Sequence, residues 1–419
     1  MRKEKEHMKI VIVGHVDHGK STLIGRLFYD TDSIQEEKIA EVREACKTLG
    51  KEMEFAYLMD HLQEEREQGV TIDTTQTFFK TDKRHYVIID APGHKEFIKN
   101  MITGASQAEA AILIVDADEG VQEQTKRHAY ILGMLGLKQV IAVLNKMDLR
   151  EFDKERFEEV KAELLKFLSS ISIVPSHVIP ISAKLGENVA KKSGKMKWYS
   201  GPTILSALDS FSVKESSPDK PLRFPVQGVF KVENKRILMG RVESGTVSEG
   251  DEITFLPSGK TAKVKSVEEF MEERHSASAG ESTGITIDQP YFIERGEVAF
   301  SGRKPAVAQE FSASVFWMSP RAFALGERLA FRCATQEAGC EVKKIERKIN
   351  SSTLETIGEN ASELKENEVG EIVLRTDKPV VLENFSEIPE LGRFVLVRGE
   401  NVSAGGTVSG LERLDSKRQ

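Results

Sequence analysis

The first half of the chain alternates short apolar runs with longer segments of helical periodicity. Short apolar runs bounded by polar residues predict buried strands, and the segments between them predict amphipathic helices. Such alternation is typical of a doubly wound α/β sheet with helices on both faces. The predicted strands are Lys9–Val13, His85–Ile89, Ala110–Val115, Gln139–Leu144 and Val178–Ile181, and the predicted helices include Lys95–Thr103, Gln124–Leu135 and Lys154–Leu168.

The pattern changes beyond residue 212, where Ser212 to Pro221 predicts a linker. Short alternating runs then follow one another, separated by turns such as Leu256-Pro257-Ser258-Gly259, and this spacing is typical of small β-barrels. We therefore predict an α/β domain over residues 1–212, a first β-barrel over 213–304 and a second over 305–419. The predicted barrel strands are Arg223–Phe230, Met239–Val242, Glu252–Phe255, Thr261–Val267, Glu310–Phe316, Leu329–Cys333, Glu371–Leu374 and Arg393–Arg398.

Composition narrows the class of protein. The net charge of −7 over 419 residues argues against a broad nucleic-acid-binding surface and leaves room for a local basic patch. Cys46, Cys333 and Cys340 form no CxxC pair, which indicates buried thiols in a reducing compartment. The charged segment Met1–Met8 has no apolar h-region, so we expect no signal peptide, and no apolar run reaches the ~20 residues of a membrane span. We expect a cytoplasmic protein without a membrane partner.

The first predicted strand leads into Gly14-His15-Val16-Asp17-His18-Gly19-Lys20-Ser21, which matches the phosphate-loop pattern G-x-x-x-x-G-K-[ST]. A helical segment leaves the loop, beginning with Ser21 and Thr22. Backbone N–H groups and the positive helix end would hold phosphate oxygens. Lys20 would reach the β- and γ-phosphates, and the Ser21 hydroxyl would hold Mg²⁺.

Two further motifs point to the γ-phosphate. In Asp90-Ala91-Pro92-Gly93-His94, Asp90 would hold Mg²⁺ through water and the Gly93 N–H would contact the γ-phosphate. His94 would then orient the attacking water as the catalytic residue; the alternative is a solvated surface histidine. Within Gly69–Asp73, the Thr71 hydroxyl would add a Mg²⁺ ligand while the γ-phosphate is present, as in switch segments.

The motif Asn145-Lys146-Met147-Asp148 follows another predicted strand and selects the base. The Asp148 carboxylate would accept from the N1–H and 2-amino groups of guanine, a donor pair that adenine lacks. Asn145 would brace the loop, and the Lys146 stem would lie over the base. Ser182-Ala183-Lys184, after the last predicted strand, would close the base site. The ligand predicted from these motifs is GTP with Mg²⁺.

This set of motifs resembles the translation-factor-type GTPases. Asp90–His94 and the following Lys99-Asn100-Met101-Ile102-Thr103-Gly104-Ala105 resemble the branch of elongation factors Tu and 1-alpha. The resemblance implies a P-loop GTPase domain followed by two β-barrels.

Several stretches resemble one subfamily more narrowly, the GTPase subunit of sulfate adenylyltransferase. They are Leu27–Ile34, Arg223–Gln227, Leu256–Gly259, Val315–Pro320 and Gly370–Pro379. This resemblance implies that GTP hydrolysis drives the uphill formation of adenylyl sulfate on a separate ATP-binding sulfate adenylyltransferase subunit. His18 and Ala91 depart from that subunit and lean toward the elongation factors. The alternative is therefore a GTPase that carries aminoacyl-tRNA to the ribosome.

Overall fold

The structure is a computed structural model, and it describes residues 7–34, 36–48, 55, 76–89, 108–212, 220–232, 235–269 and 272–411. The chain divides into two compact units, Met1–Val213 and Lys214–Gln419. In the described part of the chain, no helix combines the length and the apolar character needed to cross a bilayer.

The first unit is built on a six-stranded sheet, which is parallel except for one outer strand. Its strands are β1 (His7–Gly14), β2 (Gln76–Lys80), β3 (His85–Ile89), β4 (Ala110–Asp116), β5 (Gln139–Asn145) and β6 (His177–Pro180). They lie in the order β2-β3-β1-β4-β5-β6, and β2 runs antiparallel to β3. Every residue of β4 is buried, as expected for a central strand whose two faces are both covered.

The helices of this unit bury apolar faces against the sheet, except that the helix Glu36–Thr48 packs against Phe55, Tyr29 and Ile34. They are α1 (Lys20–Asp30), α2 (Glu36–Thr48), α3 (Glu123–Met134), α4 (Lys154–Ser170) and α5 (Ile204–Ser210), with a 3₁₀ turn at Met147–Arg150. The N-terminus of α4 is capped by Asp153, whose carboxylate accepts hydrogen bonds from the N–H groups of Glu155 and Arg156. The apolar face of α4 buries Phe157, Val160, Leu164 and Leu168 at helical spacing.

The second unit contains two closed six-stranded barrels. The first comprises β7 (Arg223–Val232), β8 (Lys235–Arg241), β9 (Thr246–Ser248), β10 (Glu252–Leu256), β11 (Lys260–Glu269), β12 (Glu272–Arg274), β13 (Ser276–Ser278), β14 (Ser282–Ile287) and β15 (Val298–Phe300). It closes because β10 pairs with both β15 and β11, while β12 adds to β11 outside the ring, and β9 pairs with β13. Alternating inward residues such as Phe224, Val226 and Leu238 fill its interior.

The second barrel follows directly in the chain. It comprises β16 (Ala306–Trp317), β17 (Phe323–Ala324), β18 (Arg328–Cys333), β19 (Gln336–Asn350), β20 (Thr356–Ala361), β21 (Glu363–Leu364), β22 (Glu368–Leu382), α6 (Pro389–Gly392), β23 (Arg393–Arg398) and β24 (Asn401–Gly410). It closes where β18 pairs with both β19 and β23, and β20 adds to β19 outside the ring. Phe311, Phe331 and Phe394 pack against one another in its core.

A buried ion pair joins the two barrels. Arg223 at the start of β7 is fully buried. Its Nε donates at 2.8 Å to Oε1 of Glu383, the residue that directly follows β22. The other carboxylate oxygen of Glu383 accepts from Nη2 of Arg303 at 2.8 Å. Both oxygens of a buried carboxylate are therefore satisfied by charged donors, which is what burial of a charge requires.

The predicted fold class is confirmed: a P-loop-type α/β domain with a doubly wound sheet precedes two small all-β barrels. The predicted strand His85–Ile89 agrees with β3 at both ends, while β2 was missed. The domain boundaries at residues 212/213 and 304/305 stay predictions. The predicted helix Lys95–Thr103 lies outside the described residues, as does most of the predicted linker.

Candidate nucleotide-binding site

Four parallel strands carry the site at their carboxyl ends. β1 ends at Gly14, β4 at Asp116 and β5 at Asn145, and β6 ends just before Ser182. Because parallel strands in one sheet point the same way, these ends meet along one edge, which is where open α/β sheets bind ligands. The phosphate loop, Asn145–Asp148 and Ser182–Lys184 are thus brought together by the sheet.

Two glycines give the phosphate loop its path. A Cβ on Gly14 would lie 2.3 Å from the backbone oxygen of Ile114 on β4, and one on Gly19 would lie 2.4 Å from Nδ2 of Asn145. Gly19 also has a φ of 91°, in the left-handed region that favours glycine. Any side chain at either position would push the loop off the sheet edge.

The loop and the first turn of α1 fit a phosphate chain. The ammonium of Lys20 folds back over the loop and donates to the carbonyl oxygens of Gly14 and His15, at 3.0 and 2.8 Å. No side chain caps the N-terminus of α1 in the described structure, and no acidic residue lies in its first turn. The helix end therefore keeps its positive character for an anion.

The remaining loop residues differ in exposure. Val16, Asp17 and Ser21 are exposed, and Thr22 is half-buried in the first turn of α1. The Nδ1 atom of His15 is buried and has no hydrogen-bond partner among the described residues. An exposed hydroxyl at Ser21, directly after Lys20, fits a Mg²⁺ ligand beside a phosphate. No cluster of three or more His, Cys, Asp or Glu with metal-binding geometry occurs in the described ranges.

His18 is fully buried inside the loop. Its Nδ1 accepts from the backbone N–H of Asp116 at 3.2 Å, so its Nε2 carries the proton and faces Glu119 Oε2 at 3.3 Å. Burial lowers the pKa of His18, and this outweighs the opposing effects of a hydrogen bond with the Ile114 backbone and of the nearby carboxylates of Asp116 and Glu119. The imidazole is therefore neutral, and its two ring nitrogens connect the phosphate loop to the loop after β4. We call this arrangement the neutral strut.

Asn145 connects the phosphate loop to the base site. Its Nδ2 donates to the carbonyl oxygen of His18 at 2.9 Å, and its Oδ1 accepts from the N–H of Ala183 at 2.9 Å. The backbone carbonyl of Asn145 in turn accepts from the N–H of Ala117 at 2.8 Å. One buried side chain thereby sets the distance between two motifs far apart in the sequence.

Lys146 and Asp148 lie on the turn that follows β5. Lys146 has a φ of 62°, and its ammonium lies 2.7 Å from Asp116 Oδ2, which stretches the aliphatic stem across the end of β4. The other Asp116 oxygen accepts from the N–H of Asp118 at 2.7 Å. Asp148 is half-buried in the 3₁₀ turn, while Met147 beside it is buried and donates its N–H to the Ile181 carbonyl.

Ser182-Ala183-Lys184 forms the opposite side of the base site. Ser182 is fully buried, and its hydroxyl oxygen accepts from the N–H of Leu185 at 3.2 Å. Ala183 is also buried, and Lys184 is exposed. Thr71, Asp90, Gly93 and His94 lie outside the described residues, so their predicted roles at the γ-phosphate stay predictions.

Sequence reasoning missed Asp116 and Glu119. Asp116 holds Lys146, and Glu119 faces His18, so both order residues that the motifs did identify. The signal was available for Asp116, because it ends a buried strand in the same way as Asn145. The fold and this site together define a P-loop GTPase domain followed by two closed β-barrels.

Three family models match the chain in order. The family described as "Elongation factor Tu GTP binding domain" matches residues 5–214, "Elongation factor Tu domain 2" matches residues 235–298, and "GTP-eEF1A C-terminal domain-like" matches residues 310–409.

Relatives named "Elongation factor 1-alpha" are similar over the full length. The chain is 39% identical to the one from Methanospirillum hungatei, covering 97% of both chains. It is 42% identical to those from Methanopyrus kandleri and Pyrococcus furiosus, covering 97% and 98% of this chain and 98% and 99% of the relatives. The chain therefore belongs to the translation-factor GTPase family of elongation factors Tu and 1-alpha, and it is a GTP-binding protein of the GTPase class.

These relatives overturn the prediction of a sulfate adenylyltransferase subunit and of its separate ATP-binding partner. Apart from Leu27–Ile34, which lies in the first unit, the stretches behind that prediction contain barrel core residues: Trp317, Met318 and Phe224 are all buried in the barrels. Core residues of this kind report how a barrel is filled, and related barrels share them whatever protein they bind. The two departures at His18 and Ala91 pointed to the correct branch.

Proposed function

We propose that this chain is a GTP-dependent carrier of aminoacyl-tRNA to the ribosome. The observation that carries the proposal is the similarity to proteins named Elongation factor 1-alpha through all three domains, including both barrels. A shared GTPase domain alone would leave the cargo open, because that domain serves many functions. Cytoplasmic location follows from this role.

At the nucleotide, Lys20 would neutralise the β- and γ-phosphates, and Asp148 would accept from guanine. Ser21, Thr71 and Asp90 would hold Mg²⁺, which supplies charge neutralisation at the phosphates when bound. The Thr71 hydroxyl would no longer bind Mg²⁺ once the γ-phosphate has left, and the segment around Thr71 would thereby report hydrolysis. His94 would orient the water that attacks the γ-phosphate.

The first barrel offers a surface suited to the end of a single RNA strand. Phe230 and Ile237 are directly opposite on β7 and β8, as are Gly228 and Met239, so these residues share one outward face. Phe230 is 58% exposed, and Met239 and Val232 are exposed beside it. We call this set, Phe230, Val232, Ile237 and Met239, the apolar face.

A carboxylate borders the apolar face. A Cβ on Gly284 of β14 would lie 2.5 Å from Ile237 and 3.4 Å from Cβ of Glu268, which places Glu268 next to these residues. The hydroxyl of Ser266 donates to Glu268 at 2.6 Å and holds the pKa of that carboxyl below its usual range, with Lys235 adding to the effect. An exposed aromatic ring for base stacking beside an ionised acceptor for amino or hydroxyl groups suits a nucleotide at an RNA terminus.

The test is GTP-dependent protection of the aminoacyl-tRNA ester against spontaneous hydrolysis. We expect the purified chain to slow ester hydrolysis with GTP and not with GDP, and Lys20→Ala to give no protection with either. Phe230→Ala should weaken aminoacyl-tRNA binding by roughly tenfold, because one base–aromatic stack is worth ~1–3 kcal/mol.

Phe292→Ala is the matched control for Phe230→Ala. Phe292 is 73% exposed on the same barrel, is not one of the four residues of the apolar face, and lies under the guanidinium of Arg236. It should leave protection unchanged. Equal protection with GTP and GDP, or equal losses in the two phenylalanine variants, would contradict the proposal.

A further inference from the structure

A loop beside the base site carries an unbalanced positive charge. Residues 186–203 contain four lysines, Lys191, Lys192, Lys195 and Lys197, and one acidic residue, Glu187, so the segment carries a formal charge of +3 in a chain of net charge −7. All four lysine side chains are exposed. We call these four residues the lysine cluster.

The lysine cluster has no carboxylate partners. None of its four ammonium groups lies within ion-pair distance of an acidic side chain in the described structure. On β19, by contrast, Lys343, Lys344, Arg347 and Lys348 each face a glutamate at 2.5–3.5 Å. The lysine cluster therefore differs from the basic stretch of β19, because neighbouring carboxylates do not offset its charge.

The loop beneath the cluster is rigidly held. Asn188 donates to the carbonyl oxygen of Pro180 at 2.9 Å and accepts from the N–H of Ser193 at 2.8 Å, while Met196 is buried. The hydroxyl oxygen of Ser193 accepts from the N–H groups of Lys195 and Met196, both at 3.1 Å. The backbone carrying the lysines is therefore ordered before any partner binds, which lowers the entropic cost of binding.

The loop also contacts the turn that bears Asp148. Trp198 Nε1 donates to the carbonyl oxygen of Phe152 at 3.0 Å, and the Lys195 ammonium lies 4.9 Å from the centre of the Phe152 ring. The lysine cluster is accordingly fixed at the base-site edge of the first unit.

The chemistry of the surface selects the partner. Residues 186–203, all of which the structure describes, include no exposed large apolar side chain, and Leu185, directly before the segment, is 44% exposed. Protein interfaces are anchored by buried aromatic and aliphatic residues, and peripheral membrane binding needs apolar insertion as well as charge. Contact with a nucleic-acid phosphate backbone needs only well-placed cations.

We propose that the lysine cluster is a docking surface for the phosphate backbone of folded RNA, distinct from the apolar face of the first barrel. It binds by charge and shape, without reading sequence. RNA seated there would lie against the loop that supports Asp148.

The experiment measures binding of a fluorescein-labelled, blunt-ended RNA duplex of about 16 base pairs by anisotropy across a salt series. A blunt duplex presents no single-stranded end to the apolar face. The four-site variant Lys191→Gln, Lys192→Gln, Lys195→Gln, Lys197→Gln should bind roughly tenfold or more weakly at low salt. Its plot of log affinity against log salt should be shallower by about 3, because each phosphate contact contributes ~0.7–0.9.

The matched control removes the same charge from β19, with Lys343→Gln, Lys344→Gln, Arg347→Gln and Lys348→Gln. It should keep the wild-type affinity and slope. Equal losses in the two variants, no duplex binding by the wild type, or loss of binding to vesicles of anionic phospholipid with RNA binding intact would each overturn the proposal. GDP affinity and ester protection should be unchanged in the lysine-cluster variant, so failure here is distinguishable from failure of the carrier function.

Discussion

The side-chain amide of Asn145 donates a hydrogen bond of 2.9 Å to the backbone carbonyl oxygen of His18, in the middle of the phosphate loop. The same amide accepts from the N–H of Ala183 at 2.9 Å. A residue of the base-recognition motif thus orders the loop that holds the phosphates. The predicted base-recognition motif and the predicted phosphate loop are therefore connected through one side chain.

Asn145→Ala should weaken GDP and GTP binding together, by at least roughly tenfold. The substitution leaves a buried carbonyl and a buried N–H without partners, and each such group costs ~1–3 kcal/mol. Fluorescent GDP titration gives the affinity. Asn188→Ala is the matched control, since Asn188 also joins two backbone groups, Pro180 and Ser193, away from the phosphate loop. Asn188→Ala should lower stability while keeping the affinity within a few-fold; the same affinity loss in both would refute the connection.

The imidazole of His18 should have a pKa below the ordinary histidine value of 6.5. Burial disfavours the imidazolium, so the folded protein holds this proton less tightly than the unfolded chain does. The stability contribution of neutral His18 is therefore fully present above the unfolded pKa, and it is lost progressively as the pH falls from that value through the lower folded pKa. NMR of ¹³C-labelled histidine, with the resonance assigned through His18→Gln, gives the midpoint. A midpoint at or above 6.5 would contradict the neutral strut.

Asp148→Asn should shift the nucleotide preference from GTP to xanthosine triphosphate. Xanthine has a carbonyl where guanine has its amino group, so an amide donor suits it and a carboxylate does not. Competition between the two nucleotides measures the shift. Asp118→Asn is a nearby carboxylate control, since Asp118 pairs with Arg150 outside the base motif. A variant at Asp148 that still prefers GTP would place the base elsewhere.

His94→Ala should slow single-turnover GTP hydrolysis by ~10²–10⁴-fold while GTP affinity stays near wild type, since a positioned catalytic group contributes that much. The measurement requires ribosomes, because intrinsic rates of such GTPases are very low. His85→Ala serves as the control: His85 begins β3, at the amino end of the sheet and away from the site. Hydrolysis at the wild-type rate in His94→Ala would identify a surface histidine.

Arg223→Ala should destabilise the barrels by ~3–5 kcal/mol, because it leaves Glu383 buried with one of its two cations missing. Unfolding is followed through Trp317, which is buried in the second barrel, in a Trp198→Phe background that removes the chain's other tryptophan. Arg347→Ala breaks the exposed pair with Glu371 and should cost less than about 1 kcal/mol. Similar costs for the two variants would show that burial of the Arg223 pair is irrelevant.

The sequence revealed the sheet well where strands are buried on both faces. A continuous apolar run marks β4, whereas β2 is an outer strand with Phe79 buried and Phe78 56% exposed, so its short segment carries little signal. β8 begins at Lys235, six residues after Val229 of β7. The apolar pattern predicts this strand only from Met239. The first residues of β8 are exposed and polar, so they do not extend the apolar pattern that predicts a strand.

The site was predictable where motifs fix both spacing and chemistry. The links between motifs were harder to foresee, because the contact of His18 with Glu119 joins residues about a hundred positions apart and depends on the sheet order. The prediction of a sulfate adenylyltransferase subunit was wrong, since it rested largely on buried barrel residues such as Trp317, which report packing and not function. Burial of Cys333 and Cys340 raises the pKa of both thiols to about 12, and both are the buried free thiols that the sequence predicts.

The outermost strands of the three large sheets have a consequence for how copies of this chain behave at high concentration. They are β2, β6, β12 and β20, with five, four, three and six residues. Short outer strands interrupted by charge or proline are poor templates for a strand from another molecule. β2 ends in Lys80, β6 in Pro180, and β12 is Glu-Glu-Arg. In both closed barrels the longer strands are paired on both sides, so they offer no free edge to a strand of another molecule. This protein, although rich in β-structure, therefore resists edge-to-edge aggregation.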